Sequence, residues 1–199
     1  MTVALFNTMW NNVEKGDNSM ADLRFARTEK MLQLAFLKLL EETPYHEISI
    51  AKLAQESLID RTTFYAHYDN LAELAEELIR QELAPFHQAL STRQDLKQKQ
   101  NFDNYSFFSQ ELLSHLLTDR QQITLLRELP LGSNSFDRQL RGIFTQTYAK
   151  ILQVPASDFT VFLLDNLALS NLDFILKNGR APAKKELQAA LQKMEQFLN

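Results

Sequence analysis

The chain has 199 residues, of which 45% are hydrophobic and 23% charged, and its formal net charge at pH 7 is −4. This is enough apolar material for a small and a larger helical domain, and only 4 Gly and 5 Pro favour long helices. The sequence contains no cysteine, which excludes disulfides, thiolate metal ligands and thiol-based redox sensing and indicates a cytoplasmic setting. We see no apolar run of membrane-spanning length and no secretory signal, and therefore expect no membrane partner.

The first 20 residues show weak periodicity and end in polar residues. We assign 1–20 to a leader, which either has no function or forms a short helix through Phe6 and Trp10. From Arg24 onwards, apolar residues recur at helical spacing and predict an amphipathic helix. These residues are Met31, Leu32, Ala35, Phe36, Leu39 and Leu40.

Two short helices follow, each preceded by a residue that can cap it. Ser49 stands before an apolar stripe, so its hydroxyl can accept from the first amides of a helix over about 50–57. Residues 58–59 then form a turn, and Asp60 offers its carboxylate to the amides two and three residues further on. The pattern predicts a helix-turn-helix.

The second of these helices has two distinct faces. Phe64 and Tyr68 lie four residues apart and are expected to pack inward. The other positions carry small, hydroxylated or aromatic side chains, namely Thr62, Thr63, Tyr65, Ala66 and His67. Such side chains suit the major groove of DNA, where threonine methyls meet thymine methyls and polar groups reach base edges or phosphates.

The segment from Arg24 to Leu74 resembles the N-terminal domain of TetR-family transcriptional regulators. The shared pattern is the first amphipathic helix, a Tyr-x-x-Ile-Ser junction at 45–49 and a helix-turn-helix ending in Thr-Phe-Tyr-x-His-Tyr at 63–68. The resemblance covers about a quarter of the chain. It implies an all-α fold, with a three-helix DNA-binding domain at 21–70 and a helical ligand-binding and dimerisation domain at 71–199.

The same resemblance implies a homodimer that binds a palindromic operator in double-stranded DNA. Such a regulator is usually a repressor and is released by a small-molecule effector, whose identity the sequence does not give. We expect the helix-turn-helix to contact bases through its threonines and phosphates through its basic, phenol and imidazole groups. The expected DNA-binding residues are Ser49, Lys52, Arg61, Thr62, Thr63, Tyr65 and His67.

Three departures from the family pattern keep a second interpretation open. Leu58 stands where many members have Gly, Asp60 where Ser is common, and Leu71 where a Lys often contacts a phosphate. Leu58 would cost on the order of 1 kcal/mol in a left-handed turn. Residues 21–70 also carry six basic and eight acidic residues, whereas DNA-binding domains are usually basic. The alternative is a helical protein-interaction module, or an activator that works with a partner, in which operator binding is weakened or lost.

The second domain is predicted to consist of helices joined by polar breaks. A helix over 71–90 is expected to kink at Pro85, and the polar stretch 91–104 is the best loop candidate. Helices are then expected at about 104–117, 119–128 and 136–153. Aromatic and polar residues on these helices line an effector cavity or belong to the core; they are Phe107, Phe108, His115, Phe144, Tyr148 and Phe162.

The last two helices, over 157–178 and 182–198, are the candidates for the dimer interface. The first is apolar around most of its circumference and must be covered on two sides. The second, opened by Pro182, carries an apolar face. Interface residues are expected to be Leu164, Leu167, Ala168, Leu172, Leu187, Leu191 and Met194. Asp165 is either a ligand-orienting carboxylate or an exposed or dimer-bridging one.

No enzyme motif is found. The four histidines lie far apart in the sequence, and there is no phosphate-binding Gly loop, no nucleophile elbow and no zinc-protease motif. Glu111 and His115 are spaced as neighbours on a helix, but a metal ion would need more ligands from elsewhere. We therefore expect no catalytic residue, no cofactor and no metal site.

Overall fold

The computed structural model describes residues 20–93 and 108–198, where every regular element is helical. This is the all-α architecture expected from the sequence. The expectations for the leader, and for most of the loop predicted at 91–104, lie outside the described residues. The chain divides into two compact units between Asp69 and Asn70.

The first unit consists of α1 (Met20–Glu42), α2 (Ile50–Ser57) and α3 (Arg61–Tyr65), with a short 3-10 turn at Tyr45–Glu47. α1 packs against α2, and α2 packs against α3. Their apolar faces meet in a small core whose fully buried members are Leu32, Phe36, Leu53 and Phe64. Each such side chain contributes roughly 1.5–3 kcal/mol by burial, so this core fixes α3 on the unit.

The described residues of the second unit, 70–93 and 108–198, form six helices and a 3-10 turn at Gly132–Asn134. The helices are α4 (Leu71–Arg93), α5 (Gln110–Thr118), α6 (Arg120–Arg127), α7 (Phe136–Leu152), α8 (Phe159–Asn178) and α9 (Lys184–Leu198). α8 packs on α7, while α4 contacts α5, α6 and α7. Phe86 of α4 lies at the centre of the core, edge-on to Phe108, Phe136 and Phe144 at centroid distances of 6.1–6.4 Å.

Several helix limits differ from the sequence prediction; the helix expected over about 104–117, for example, begins at Gln110 after the N-cap Ser109. α4 continues to Arg93 with Pro85 inside it, because a long apolar row on both sides of the proline is buried. α9 begins at Lys184 and not at Pro182. Its start is fixed by Glu186, whose side chain accepts a hydrogen bond from the Ala183 amide at 2.7 Å.

α8 places part of the predicted dimer interface inside its own domain. Ala168 and Leu172 are 0% exposed within the second unit, so their assignment to a dimer interface is wrong. They lie on the buried row of α8 with Val161 and Asp165, because residues three and four apart share one helix face. The exposed apolar residues of α8 are instead Phe159, Phe162 and Leu163, at 70%, 57% and 50%.

Among the described residues, α8 is also the one helix long and apolar enough to cross a membrane, with 20 residues and a window of mean hydropathy 1.5. The expectation that no apolar run reaches this length is therefore wrong. α8 packs on α7, and its Asp173 pairs with Arg127 of α6 at 2.7 Å. These contacts are those of a helix in a domain core, with one apolar face left uncovered.

Candidate nucleic-acid interface

Both helices of the helix-turn-helix begin at the predicted capping residues. Ser49 Oγ accepts a hydrogen bond from the Lys52 amide at 3.2 Å, and Asp60 Oδ1 accepts one from the Thr63 amide at 2.8 Å. Ser49 and Asp60 both have extended backbone dihedrals, as N-caps do. The hydrogen bonds from Thr63 hold the pKa of Asp60 below its ordinary value, so this carboxylate is ionised at neutral pH.

The turn between the two helices is left-handed at Leu58. Its dihedrals are φ 57° and ψ 31°, a conformation that costs an ordinary residue roughly 1–2 kcal/mol. The next amide, of Ile59, donates to the Ala54 carbonyl at 3.1 Å and closes the end of α2. The Leu58 side chain is 89% exposed. The fold therefore keeps the family-type turn even though a leucine occupies it.

The inward side of α3, which ends at Tyr65, and of the turn that follows it is formed by the two predicted residues. Phe64 is fully buried and Tyr68 is 5% exposed, with their rings 5.9 Å apart. Gln33 of α1, which sequence reasoning did not single out, is itself 4% exposed and donates from Nε2 to Tyr68 Oη at 3.3 Å. A polar residue in the buried row of α1 was the signal that could have identified it. These contacts lock the rotation of α3 about its axis.

The outward face of α3 presents Arg61, Thr62 and Tyr65, all exposed. Tyr65 packs edge-on against Phe64 at 5.5 Å and is nevertheless 56% exposed, so its ring is fixed at the base and accessible at the tip. Ser49 and Lys52, at the start of α2, are exposed as well. Five of the seven predicted DNA-binding residues are thus accessible on the first unit.

The other two predicted residues, Thr63 and His67, are engaged inside the unit. Thr63 Oγ1 donates to Asp60 Oδ2 at 2.8 Å. The His67 side chain is 4% exposed, stacks on Phe25 at 3.9 Å and lies 3.8 Å from a carboxylate oxygen of Glu29. His67 is therefore positioned to hold the end of α3 against α1, and Thr63 to support the Asp60 cap. Neither position suits contact with DNA as well as the exposed residues do.

One acidic residue of α2 is paired with a basic residue of α1. Glu56 of α2 is paired with Lys38 of α1, Nζ to Oε1 at 2.5 Å, and the hydrogen bond to Glu56 raises the pKa of Lys38. One of the acids that make residues 21–70 net negative is therefore neutralised next to the turn. Lys52 and Arg61 are both exposed.

The predicted effector-binding residues do not surround one cavity. Phe108, Phe144 and Tyr148 stack in the core, with Phe144 at 6.4 Å from Phe108 and 5.9 Å from Tyr148. Phe162 is 57% exposed on α8, so its place in an internal cavity is wrong. Phe107 lies outside the described residues. Aromatic residues at helical spacing thus form a packed core here.

His115 is separate from these aromatics and lies between two carboxylates of the second unit. Its Nε2 is 3.1 Å from Glu82 Oε2, and its Nδ1 is 2.8 Å from Asp119 Oδ2. Burial alone would lower the pKa of His115, but the carboxylates of Asp119 and Glu82 outweigh it and raise the pKa to about 10. Glu111, the predicted neighbour, is exposed. The spacing of His115 and Asp119 was visible in the sequence, whereas Glu82 lies on another helix.

Asp165 is neither exposed nor dimer-bridging. It is 3% exposed and accepts a hydrogen bond from Thr145 Oγ1 of α7. Burial raises the pKa of its carboxyl above the ordinary value, and the hydrogen bond from Thr145 opposes this only in part.

The sequence is similar to those of two curated transcriptional regulators. It is 39% identical over 72 residues to the uncharacterized HTH-type transcriptional regulator YxbF of Bacillus subtilis, a match covering 36% of this chain and 19% of that protein. It is 33% identical over 57 residues to the dhaKLM operon transcriptional activator DhaS of Lactococcus lactis, covering 29% and 30%. The chain therefore spans less than a third of the length of either curated relative. No family model matches the chain.

Among solved structures, a crystal structure from Listeria innocua is similar over 93% of this chain and 97% of that one, with a TM-score of 0.55 and 19% identity. A TetR-family transcriptional regulator from Streptomyces coelicolor gives a TM-score of 0.46 at 16% identity, over 86% of this chain and 97% of that one. The curated matches are to helix-turn-helix transcriptional regulators, and the Listeria innocua structure shares the fold over most of this chain.

Proposed function

We propose that the chain is a cytoplasmic, homodimeric transcriptional regulator that binds operator DNA through α3 and responds to a small-molecule effector. The observation that carries the proposal is the geometry of α2 and α3. Two capped helices meet at a left-handed turn, α3 is locked by Phe64 and Tyr68, and its opposite face is exposed. The names of the curated relatives are those of regulators and not of enzymes, and we assign no catalytic role.

In this proposal, the exposed polar and aromatic residues have a different role from the exposed basic residues. Thr62 and Tyr65 are placed to meet base edges and the sugar–phosphate backbone, while Lys52 and Arg61 supply positive charge to phosphates. The Ser49 hydroxyl caps α2 as an acceptor and still has its proton to donate to a phosphate. Because few cations contribute, we expect modest affinity and a shallow salt dependence.

The homodimer proposal rests on the apolar surface of the last two helices. In α9 every described side chain except Leu187 is exposed, including Leu191, Met194 and Phe197 at 47%, 55% and 88%. An isolated helix of this length is marginal in water. A second copy that covers α9 and the exposed face of α8 would bury these residues in a symmetric interface.

The dimer is tested by light scattering at micromolar concentration. Leu191→Glu and Met194→Glu should convert the dimer to a monomer, because each places a charge in an apolar contact. Gln196→Glu on the polar face of α9 is the matched control and should remain dimeric. A monomeric parent protein would contradict the proposal.

DNA binding is tested by selecting bound sequences from a random duplex library and measuring their affinity by fluorescence anisotropy over a salt series. Lys52→Ala and Arg61→Ala should weaken all sequences alike and reduce the slope of log K against log salt by about 0.9 for each lost phosphate contact. Tyr65→Ala should weaken binding, whereas Thr62→Ala should also change the selected sequence. Lys193→Ala, in α9, is the matched cation control.

The alternative interpretation is decided by the same assay. If the parent protein selects no sequence, and Lys52→Ala and Tyr65→Ala change nothing, α3 is not a reading helix and the interaction-module interpretation takes its place. Leu71→Lys adds a cation at the first residue of α4, where a phosphate contact is common in the family. It should tighten binding to all sequences without altering preference.

The regulator could repress or activate transcription, and each possibility has one argument in its favour. The family resemblance favours a repressor, whereas one relative that matches 29% of the chain is named an activator. Transcription in vitro from a promoter carrying the selected site distinguishes them, because a repressor lowers the transcript yield and an activator raises it. An effector that reverses either result must bind one conformation of the dimer more tightly than the other. The expected mechanism is a change in the spacing of two reading helices, which must enter major grooves about 34 Å apart.

A further inference from the structure

The second unit contains a partly buried group of three metal-ligating side chains that DNA binding does not use. Glu82 comes from the middle of α4, His115 from α5, and Asp119 from the residue between α5 and α6. One ligand atom from each lies within 4.8 Å of the other two. Their side chains are 8%, 19% and 13% exposed. Three helices thus bring nitrogen and oxygen donors to one point.

Two of these ligand atoms, one from Glu82 and one from His115, face each other at ion-pair distance. Glu82 Oε2 and His115 Nε2 are 3.1 Å apart and buried, and neither has a hydrogen-bond partner elsewhere among the residues that the structure describes. Glu82 as a whole is 7% exposed. A buried carboxylate oxygen is costly unless a positive charge lies beside it, and either a protonated His115 or a metal ion shared with His115 Nε2 would supply that charge.

The spacing of the two atoms matches shared coordination of a metal ion. Zn–N and Zn–O bonds are about 2.0–2.2 Å. Two such bonds at angles between 90° and the tetrahedral value separate the donors by about 2.9–3.4 Å. The observed 3.1 Å lies inside this range.

Neighbouring contacts orient the donors towards that position. Gln122 Nε2 donates to Glu82 Oε1 at 2.5 Å, which leaves Oε2 directed at His115. Asp119 occupies the N-cap position of α6 but makes no side-chain cap, and its carboxylate is turned to the His115 ring instead. Aspartate at this position normally accepts from helix amides. Carboxylates and amides that hold a ligand in place are characteristic of metal sites.

We propose that Glu82 Oε2 and His115 Nε2 bind a divalent transition metal ion such as Zn²⁺, with Asp119 orienting the imidazole through its other ring nitrogen, Nδ1. The donor set contains no sulfur, which disfavours soft ions, and its imidazole disfavours Mg²⁺ and Ca²⁺. Water would complete the coordination. The site would join α4, α5 and α6, and the proposal is independent of DNA binding.

The competing possibility is an ion-pair triad in which a protonated His115 is held by two carboxylates and no metal binds. The two possibilities differ in what Zn²⁺ does to the whole chain. A metal site takes up one equivalent and raises the unfolding temperature with Zn²⁺ concentration, because only the folded chain assembles the ligands. A triad shows neither effect.

The test titrates the full chain, freed of metal with a chelator, with Zn²⁺ by calorimetry and with Co²⁺ by visible absorption. We expect one ion per chain, a Co²⁺ spectrum typical of a bound ion, and competition between the two ions. His115→Gln and Glu82→Gln should each weaken binding by about 100-fold or more, since even outer-shell changes cost 10–100-fold. Asp119→Asn should weaken it by at least tenfold.

Two control variants lie close to the site in sequence and outside it in structure. His87→Gln removes an exposed imidazole from α4, and Glu111→Gln removes an exposed carboxylate from α5. Both should bind as the parent does. Absence of a one-to-one Zn²⁺ isotherm in the parent chain overturns the proposal, whatever the variants do. Equal binding by parent and His115→Gln, with circular dichroism showing that the variant is folded, overturns it as well.

Discussion

Replacing Leu58 with glycine should stabilise the helix-turn-helix. Leu58 has φ 57° and ψ 31°, and a side chain at Cβ makes this region unfavourable by roughly 1–2 kcal/mol. Its side chain is 89% exposed, so removing it loses little buried surface. Glycine also lowers the free energy of unfolding by about 0.4–1 kcal/mol, because it makes the unfolded chain more flexible. The net gain for Leu58→Gly is about 0.5–1 kcal/mol.

Hydrogen exchange measured by mass spectrometry shows which part of the chain becomes more stable in Leu58→Gly. A change of 0.5–1 kcal/mol should slow exchange of peptides covering 45–70 by about two- to fivefold. Leu58→Ala is the matched control, because it removes the side chain and keeps the strain, and it should leave exchange close to the parent. Gln153 is also left-handed, at φ 59°, so Gln153→Gly should slow exchange at the end of α7 and not at 45–70.

The reasoning is refuted if Leu58→Gly and Leu58→Ala behave alike. In that case the backbone at this position would not carry strain, and the departure from glycine would be neutral. A faster exchange in Leu58→Gly would show that unfolded-state entropy outweighs the strain.

Three further substitutions test local features. Ser49→Ala removes the cap of α2 and should cost about 1 kcal/mol in urea unfolding; no change in the midpoint would contradict the cap. Gly179→Ala should destabilise by about 1 kcal/mol, because Gly179 has φ 65° and a Cβ there would lie 2.6 Å from Arg120 Nη1. Asp165→Asn should gain stability relative to the parent as the pH rises above 3.8, the ordinary pKa of the carboxyl group. Burial raises the pKa of Asp165 in the folded chain, so the parent loses stability as pH rises through that pKa and the variant does not; parallel curves of urea midpoint against pH would contradict this.

The helix-turn-helix was predictable because its signals are local. A cap lies three residues from the amide it accepts from, and Phe64 and Tyr68 face inward because four residues make about one helical turn. The burial of His67 was not predictable in the same way. Its cause is Phe25 of α1, about forty residues away, and no spacing rule links the two positions.

For α8 too, the sequence alone did not determine which residues contact the rest of the domain. The sequence indicated correctly that α8 is apolar on two sides, but it did not indicate which side meets the domain. Ala168 and Leu172 face inward because the buried row also contains Asp165, which is hydrogen-bonded to Thr145 of α7. A polar residue within an apolar helix therefore marked the core face, since a partner on the neighbouring helix compensates its burial. The apolar face without such a residue, with Phe159, Phe162 and Leu163, is the one that stays exposed.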